Sequence, residues 1–377
     1  MPSSETELMG TMDRPTGPRR SGLNPSRLLE SPRSRAELPV ILLASGYNLR
    51  VMNAVRARFD GRAARAAVPL VLWLTARLAD ADPIVGNAAM RALSSLFPER
   101  PPDPGELSLR QLGGVTGLPR ETLRRTAAKL EKAGWVARVG GGRLSATGQF
   151  TEYLHGCGER ERLMDFRWTA ARIRELLSPT AADIGASVAD ALAAMRSCRS
   201  EELTASLRSP LPGEVPPIVL SAALVLMHGY NLRHLLRLMP LFDGDLLQVV
   251  VLGEVAIRNI AVLSPELAKE GHDLATVLKL TRPDESIFTD PRRGMNAYSL
   301  ASCLGIAYET MRRKLAQLVE RAYLQRDERG GYWLMPHVPD VFRGFNQERR
   351  ADLLITADTI EALLRSASPI TPEQVPS

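Results

Sequence analysis

The pattern of hydrophobic positions predicts a protein made mainly of helices. Apolar residues dominate four stretches, 40–57, 67–79, 218–238 and 246–262, and within each stretch they occupy almost every face that a helix would have. Helices of this kind are buried in a bundle or at a contact between units. Ala, Leu and Arg recur throughout the chain, and all three lose little free energy on entering a helix.

The same pattern occurs twice along the chain. The segment GYNLR at 46–50 returns at 229–233, and FDG at 59–61 returns at 242–244, both at an offset of 183 positions. Two further blocks return in the same order: ETLRR at 121–125 as ETMRR at 309–313, and 165–177 as 352–364. Separate blocks that recur in one order indicate an internal duplication.

The duplication predicts a mainly α fold with two tandem repeats. Each repeat would contain a helical bundle region, a winged helix-turn-helix with a small β-hairpin, and C-terminal helices. The tails at 1–35 and 367–377 flank the repeats, and the first has few large apolar residues, which predicts disorder. The linker at 179–215 would hold one helix, at 181–206, before a Pro- and Gly-rich run. The first predicted repeat is 36–178, and its three regions are 36–105, 106–150 and 151–178. The second predicted repeat is 216–366, and its three regions are 216–290, 291–337 and 338–366.

The segment 108–148 carries the most informative pattern. A short helix is expected to end at Gly117, whose freedom to adopt φ > 0 allows a tight turn. A second helix then begins near Pro119, and Gly-Gly-Gly at 140–142 forms the tip of a hairpin. Three apolar residues at helical spacing make one stripe along the second helix: Leu123, Ala127 and Leu130.

The segment 299–334 repeats this layout, with Gly305 at the turn and glycines at 330–331 at the hairpin tip. The order of helix, glycine turn, second helix and glycine-tipped hairpin resembles the winged helix-turn-helix of bacterial transcriptional regulators. The stretch GLPRETLRRTAAKLEKAGWV at 117–136 is similar to the same stretch in the GntR, MarR and Crp-type families. The resemblance implies that double-stranded DNA is the partner, with the second helix in the major groove and the wing on the backbone or minor groove.

The placement of charge supports this implication. The whole chain has a net charge of +6. The window 106–143 holds eight basic and three acidic residues, an excess of five, and the window 292–329 holds eight basic and four acidic residues, an excess of four. These two excesses together exceed that of the whole chain, so the positive charge is concentrated where a duplex would lie.

The candidate DNA contacts are polar residues in the second helix and the hairpin of each copy. Arg can fork onto the O6 and N7 atoms of guanine, and Thr can reach a phosphate or a thymine methyl group. Tyr308 stands where the first copy has Arg120, so the two copies need not read the same half-site. The candidates are Arg120, Thr122, Arg124, Arg125, Lys129 and Arg143 in the first copy, and Tyr308, Thr310, Arg312, Arg313, Lys314 and Arg329 in the second.

The two GYNLR segments place polar side chains inside apolar helices. A buried polar group without a partner costs about 1–3 kcal/mol, so these side chains must bond to something. The interpretation we favour is a structural hydrogen-bond network that fixes the two repeats against each other. The other is a pair of effector pockets, one at each segment. The residues concerned are Tyr47, Asn48, Arg50, Tyr230, Asn231 and Arg233.

Several function classes lack their motifs in this sequence. There is no phosphate-binding Gly loop and no G-x-S-x-G nucleophile motif, so we do not expect an enzyme. His155 and Cys157 have no further ligands at metal spacing, and no metal or cofactor is expected. The three cysteines are far apart, and neither a signal peptide nor a membrane span is recognised, which favours a cytoplasmic, nucleoid-associated protein without a membrane partner.

These features together predict a sequence-specific transcriptional regulator of bacterial type that binds DNA through both winged helices. A homodimer and a small-molecule effector are both compatible with this prediction. Two alternatives stay open. A plasmid or phage replication initiator also resembles a tandem of winged helices and would bind directly repeated sites. A winged-helix scaffold would hold protein partners instead of DNA.

Overall fold

The computed structural model describes residues 37–80, 105–156, 158–177, 215–270, 295–335 and 337–366. The predicted tails at 1–35 and 367–377 and the predicted linker helix at 181–206 lie outside these residues. We refer to the described residues up to 177 as the first half and to those from 215 onward as the second half.

The described residues are mainly helical, and their strands form two small antiparallel sheets. The helices are α1 (Glu37–Arg58), α2 (Ala63–Asp80), α3 (Leu109–Thr116), α4 (Arg120–Lys132), α5 (Gly148–Gly156), α6 (Glu159–Leu177), α7 (Pro217–Leu238), α8 (Leu246–Glu270), α9 (Ala297–Leu304), α10 (Tyr308–Glu320), α11 (Val338–Val341) and α12 (Arg343–Ser366). The strands are β1 (Glu106–Leu107), β2 (Val136–Val139), β3 (Arg143–Ala146), β4 (Leu324–Arg326) and β5 (Tyr332–Leu334).

Each sheet is built around one hairpin. In the first sheet the strand order is β1-β3-β2, with Leu107 opposite Leu144. In the second, β4 pairs with β5, and Met295 forms a single bridge with Tyr332. Both hairpins are therefore held along one edge by the residues that precede the neighbouring helix pair, α3 and α4 or α9 and α10.

The short helices α3 and α9 begin and end in the same way. The backbone N–H of Ser108 donates to the Gln111 side chain at 2.8 Å, and the Ser108 hydroxyl accepts from the Gln111 backbone at 3.3 Å, which caps α3. Asn296 caps α9 by accepting a backbone N–H at 2.8 Å. Gly117 and Gly305 end the two helices at φ values of 69° and 60°, a left-handed conformation that glycine adopts at little cost. Each glycine turn leads the chain into the longer helix, α4 or α10.

The long helices of the two halves cross reciprocally. Helix α1 packs against α6 of its own half and α8 of the other, while α7 packs against α12 of its own half and α2 of the other. The turns that follow α1 and α7 also meet. The N–H of Ala63 donates to the carbonyl of Gly244 at 3.0 Å, and the N–H of Leu246 donates to the carbonyl of Gly61 at 3.0 Å. Main-chain bonds therefore join the halves at the place where the FDG segments recur.

Buried polar side chains at this crossing bond to the opposite half. The hydroxyl of Tyr47 donates to Oδ1 of Asn231 at 3.2 Å, and Nδ2 of Asn48 donates to the hydroxyl of Tyr230 at 3.0 Å. Both tyrosines are fully buried, and their rings lie 6.1 Å apart. Burial raises the pKa of Tyr230 to about 12 and raises that of Tyr47 further, so both hydroxyls stay protonated at neutral pH.

The arginines of the two GYNLR segments bond within their own halves. Nε and Nη2 of Arg50 contact the carboxylate of Asp165 at 3.0 Å and 2.6 Å. Arg233 contacts Asp352 at 2.9 Å, and Arg237 joins the same carboxylate at 2.7 Å. Burial alone would raise the pKa of Asp352, but the guanidinium groups of Arg233 and Arg237 outweigh it and hold that pKa below its usual value. These pairs attach α1 to α6 and α7 to α12.

We expect Asn231→Ala to lower the free energy of unfolding by about 1–3 kcal/mol, because it leaves the buried hydroxyl of Tyr47 unpaired. Adding Tyr47→Phe should restore part of this loss, since the unpaired hydroxyl is then absent. Urea unfolding of the wild type, the two single variants and the double variant measures the coupling. Losses that simply add would show that the two side chains do not depend on each other.

Candidate nucleic-acid interface

Helix α4 separates an apolar face from a basic one. Leu123, Ala127 and Leu130 are buried, as their spacing in the sequence predicts. The remaining faces are polar because the residues between this stripe are charged or small. Five cationic side chains of α4 are exposed: Arg120, Arg124, Arg125, Lys129 and Lys132. Thr122 is half-buried at the edge of this basic face.

One carboxylate lies within the basic face of α4. Glu121 accepts from Nε and Nη2 of Arg124, both at 2.8 Å, and lies 3.5 Å from Nε of Arg125. Hydrogen bonds from Arg124 hold the pKa of Glu121 below its usual value, so the carboxylate is ionised at neutral pH. All three side chains are exposed, and exposed ion pairs of this kind contribute little to stability. Arg124 and Arg125 can therefore exchange Glu121 for another anion at little cost.

The first hairpin orients its arginines along the sheet rather than beyond its tip. Arg138 pairs with Glu131 at the end of α4, at 2.9 Å and 3.0 Å. Arg143 donates to the carbonyl of Gly140 at 3.3 Å and lies 3.2 Å from Glu106. The tip consists of glycines, so the part of the hairpin that projects furthest carries no side chains.

Helix α10 has the same division but a smaller charged face. Met311, Leu315 and Leu318 are buried. Arg312 and Arg313 are exposed, Tyr308 is 49% exposed, and Thr310 is half-buried. Arg329 is exposed in the second hairpin, next to Gly330, whose φ is 80°. The exposed cations on helix α10 are thus the two neighbouring arginines, where α4 has five cations.

Lys314 does not belong to the exposed face, so its prediction as a DNA contact is wrong. The side chain is buried, and its ammonium group is bound to the carboxylate of Asp245 and to Oε1 of Gln317, the latter at 3.0 Å. Gln248 donates to the same Gln317 oxygen at 3.2 Å. Lys314 faces the start of α8 rather than solvent, so it closes a buried polar network instead of presenting a charge.

The corresponding place in the first half is an open groove. A cavity of about 710 Å³ lies between α4 and the turn that joins α7 to α8. We call it the basic groove after the cationic side chains that line it, Arg62, Arg65, Arg125 and Lys129. Three threonines and one carboxylate also line it: Thr116, Thr122, Thr126 and Asp243. Arg62 is exposed, and Arg65 pairs with the exposed carboxylate of Asp60. The groove continues the basic face of α4 towards the crossing of the two halves.

An alignment of the two halves on their recurring segments shows how they differ at this place. At the repeat offsets, Arg62 and Arg65 correspond to Asp245 and Gln248, and Thr126 corresponds to Lys314. The second half therefore fills this place with a paired lysine and carboxylate, whereas the first half leaves cations facing an open space. The net charge of the segment around α4 does not reveal Arg62 and Arg65, because these two residues lie in another part of the sequence. An alignment of the residues after each FDG segment, RAAR against DLLQ, carries the signal.

The polar residues of the GYNLR segments all have partners. Tyr47, Asn48, Tyr230 and Asn231 bond across the crossing, and the two arginines bond within their halves. These contacts favour the structural network over a pair of equivalent effector pockets. The sequence leaves open which groups pair with which, and the structure pairs each tyrosine with the asparagine of the other half.

Within the described residues, no group of three His, Cys, Asp or Glu side chains comes together as metal ligands would. The side chains of His155 and Cys157 lie outside the described residues. None of the helices in the described ranges has both the length and the apolar content needed to cross a membrane.

Comparisons with known proteins assign no family to the chain. It matches no protein-family model, no curated protein and no solved structure. What the chain binds is therefore inferred from its own residues and their geometry.

Proposed function

We propose that the chain is a sequence-specific transcriptional regulator that binds double-stranded DNA through two winged helix-turn-helix modules, at 106–150 and 291–337. The exposed face of α4 carries this proposal. It presents five cations on a helix that follows a glycine turn and precedes a hairpin, which is the arrangement of a recognition helix. Both helix pairs and both hairpins supply the elements that such modules require.

The proposed mechanism is occupancy of an operator by both modules. Helix α4 enters the major groove, where Arg120 and Arg124 reach guanine edges and Thr122 reaches a phosphate or a thymine methyl. Arg125, Lys129 and the basic groove hold the backbone. Helix α10 does the same with Thr310, Arg312 and Arg313, and Tyr308 replaces the first arginine with an aromatic ring. Arg143 and Arg329 supply phosphate contacts near the hairpins.

The crossing of the halves supports the use of both modules at once. Reciprocal contacts between the halves imitate those of a symmetric dimer, and dimeric regulators read two half-sites in this way. One chain would then cover two half-sites, and a homodimer would cover four. We expect the protein to act in the cytoplasm, at the nucleoid.

The two modules are proposed to contribute unequally. The recognition helix of the first module has five exposed cations and a basic groove beside it, while the recognition helix of the second has two exposed cations and a closed network beside it. Phosphate neutralisation supplies most of the non-specific affinity for DNA. The first module therefore anchors the protein, and the second adds mainly sequence preference.

The same inequality favours one alternative function, a replication initiator. In tandem winged-helix initiators one copy grips DNA while the other serves mainly in dimerisation, and such proteins bind directly repeated sites. The arrangement of the recovered sites separates the two functions. Palindromic or single composite sites support the regulator, and an array of direct repeats supports the initiator.

We expect selection from a randomised duplex library to recover a two-part motif with the wild-type protein. Arg124→Ala/Arg125→Ala should abolish the preference in one part and Arg312→Ala/Arg313→Ala in the other, because each pair belongs to one recognition helix. Sequencing of the bound fraction measures both effects. The DNA hypothesis would be wrong if the wild-type protein enriched no motif and bound DNA only weakly, with the same affinity as both double variants. The protein scaffold would then be the better explanation.

The salt dependence of DNA binding should reveal whether the basic groove holds the phosphate backbone. The slope of log K against log salt falls in magnitude by about 0.9 for each phosphate that is no longer neutralised, so Arg62→Ala/Arg65→Ala should flatten it. Fluorescence anisotropy on a labelled duplex over a salt series gives the slope. Arg343→Ala/Arg365→Ala removes the same charge from exposed positions of α12 and serves as the control. Equal slopes for the two double variants would contradict a special role for the groove.

A further inference from the structure

A second cavity lies where α1 of the first half meets α7, α8 and α12 of the second half. Its volume is about 150 Å³. Most of its wall is apolar, and it includes side chains from both halves: Leu42, Met52, Leu238, Ala256, Phe342 and Phe345. It is distinct from the basic groove, with which it shares no lining residue among those described.

One end of this cavity is polar and holds a buried cation, Arg349, for which the described residues show no ion-pair partner. Arg349 lines the cavity, is 5% exposed, and its Nε has no hydrogen-bond partner among the described residues. The guanidinium carbon lies 5.8 Å from the centre of the Phe345 ring. Burial lowers the pKa of Arg349 to about 10, so the side chain is still charged at neutral pH.

Neutral polar groups surround this cation. His234 also lines the cavity, is buried, and leaves its Nδ1 without a partner among the described residues. Burial, followed by the charges of Arg349 and Arg237, lowers the pKa of His234 well below its usual value, so its ring is neutral at neutral pH. Asn48 and Asn346 complete the polar end. In the part of the chain that the structure describes, no carboxylate lines the cavity to balance the charge of Arg349.

A buried charge without a counter-ion costs several kcal/mol, which a folded protein rarely tolerates without a reason. The first half shows how the same place looks when it is filled. At the repeat offsets, Ala256 corresponds to Trp73, Ser45 to His228, and Asn346 to Glu159. Nε2 of His228 lies 3.1 Å from the Glu159 carboxylate, and the Trp73 and His228 rings are 5.3 Å apart.

The two places therefore differ at three positions. Ser45 stands in place of His228, the partner of the Glu159 carboxylate, and the other two differences complement each other. The second half lacks the bulk of an indole, because Ala256 stands in place of Trp73. It also lacks a carboxylate, because Asn346 stands in place of Glu159. What is missing from the second half, compared with the first, is an aromatic or branched apolar group together with one negative charge.

We propose that this cavity binds a small apolar monocarboxylate, whose carboxylate pairs with Arg349 and whose apolar body fills the space left by Ala256. Nδ1 of His234, which has no partner among the described residues, donates a further hydrogen bond to the same carboxylate. An engineered protein cavity of about 150 Å³ holds benzene, so the ligand has roughly the size of benzoate. The ligand would contact both halves at their crossing, and this proposal does not depend on whether the protein binds DNA.

Isothermal titration calorimetry with the full-length chain tests the proposal, using benzoate, phenylacetate, isovalerate and hexanoate as probes. We expect at least one of them to bind with a single site per chain. Benzamide, the neutral counterpart of benzoate, should bind about tenfold or more weakly, because it cannot replace the charge-assisted hydrogen bonds to Arg349. Failure of all four carboxylates to bind, or equal binding of benzoate and benzamide, would overturn the proposal.

Two variants locate the site, and one serves as the control. Arg349→Met should fold, since it removes an unpaired buried charge, and should abolish the preference for carboxylate over amide. Ala256→Trp restores the first-half residue and should block binding. Arg162→Met changes the arginine at the equivalent position of the first half and should leave binding unchanged. Circular dichroism confirms folding of each variant, and binding that persists unaltered in folded Arg349→Met would overturn the assignment.

Discussion

The reciprocal pairing of buried tyrosine and asparagine side chains is the constraint on which the rest of the structure depends. The hydroxyls of Tyr47 and Tyr230 are closed off from solvent, so each can be satisfied only if α1 and α7 cross in one register. A purely apolar crossing would tolerate some sliding, whereas a fully paired polar one specifies a single arrangement. The main-chain bonds between the following turns hold that register at a second place. Both helix pairs and both hairpins are positioned by this crossing.

Around this common frame the two halves have diverged in the use of charge. The second half pairs its lysine with a buried carboxylate, which stiffens the contact between α8 and α10 but leaves little charge on the surface. The first half keeps its cations exposed, and the carboxylates that pair with them, such as Glu121 and Asp60, are exposed as well. The same contrast recurs at the second cavity. Glu159 and Trp73 occupy this place in one half, and in the other Nε of Arg349 has no hydrogen-bond partner among the described residues. In each case one half pairs its charged groups internally, and we propose that the other pairs them with a bound ligand.

Much of this architecture could be predicted from the sequence because its signals are local. Apolar spacing located the helices, and Gly117 and Gly305 located the turns, since each signal depends on residues within a few positions. Lys314 was misplaced because a lysine beside an apolar stripe usually extends to solvent, and the buried carboxylate of Asp245 that pairs with it lies far away in the sequence. The partner of each buried tyrosine could not be predicted either, because it depends on how two helices that are distant in the sequence cross. No pattern of neighbouring residues in the sequence predicts the cavity around Arg349.

The main-chain bonds between the turns at 59–63 and 242–246 have a consequence for how the two halves can differ. Since N–H and C=O groups carry this contact, Arg62 and Asp245 can bear opposite charges there without breaking it. In a symmetric homodimer every substitution appears on both sides of the axis, whereas in a single chain it appears once. The two halves of the molecule are consequently not interchangeable. On the DNA proposed as its ligand, it would lie in one orientation only and would present different faces to whatever binds upstream and downstream.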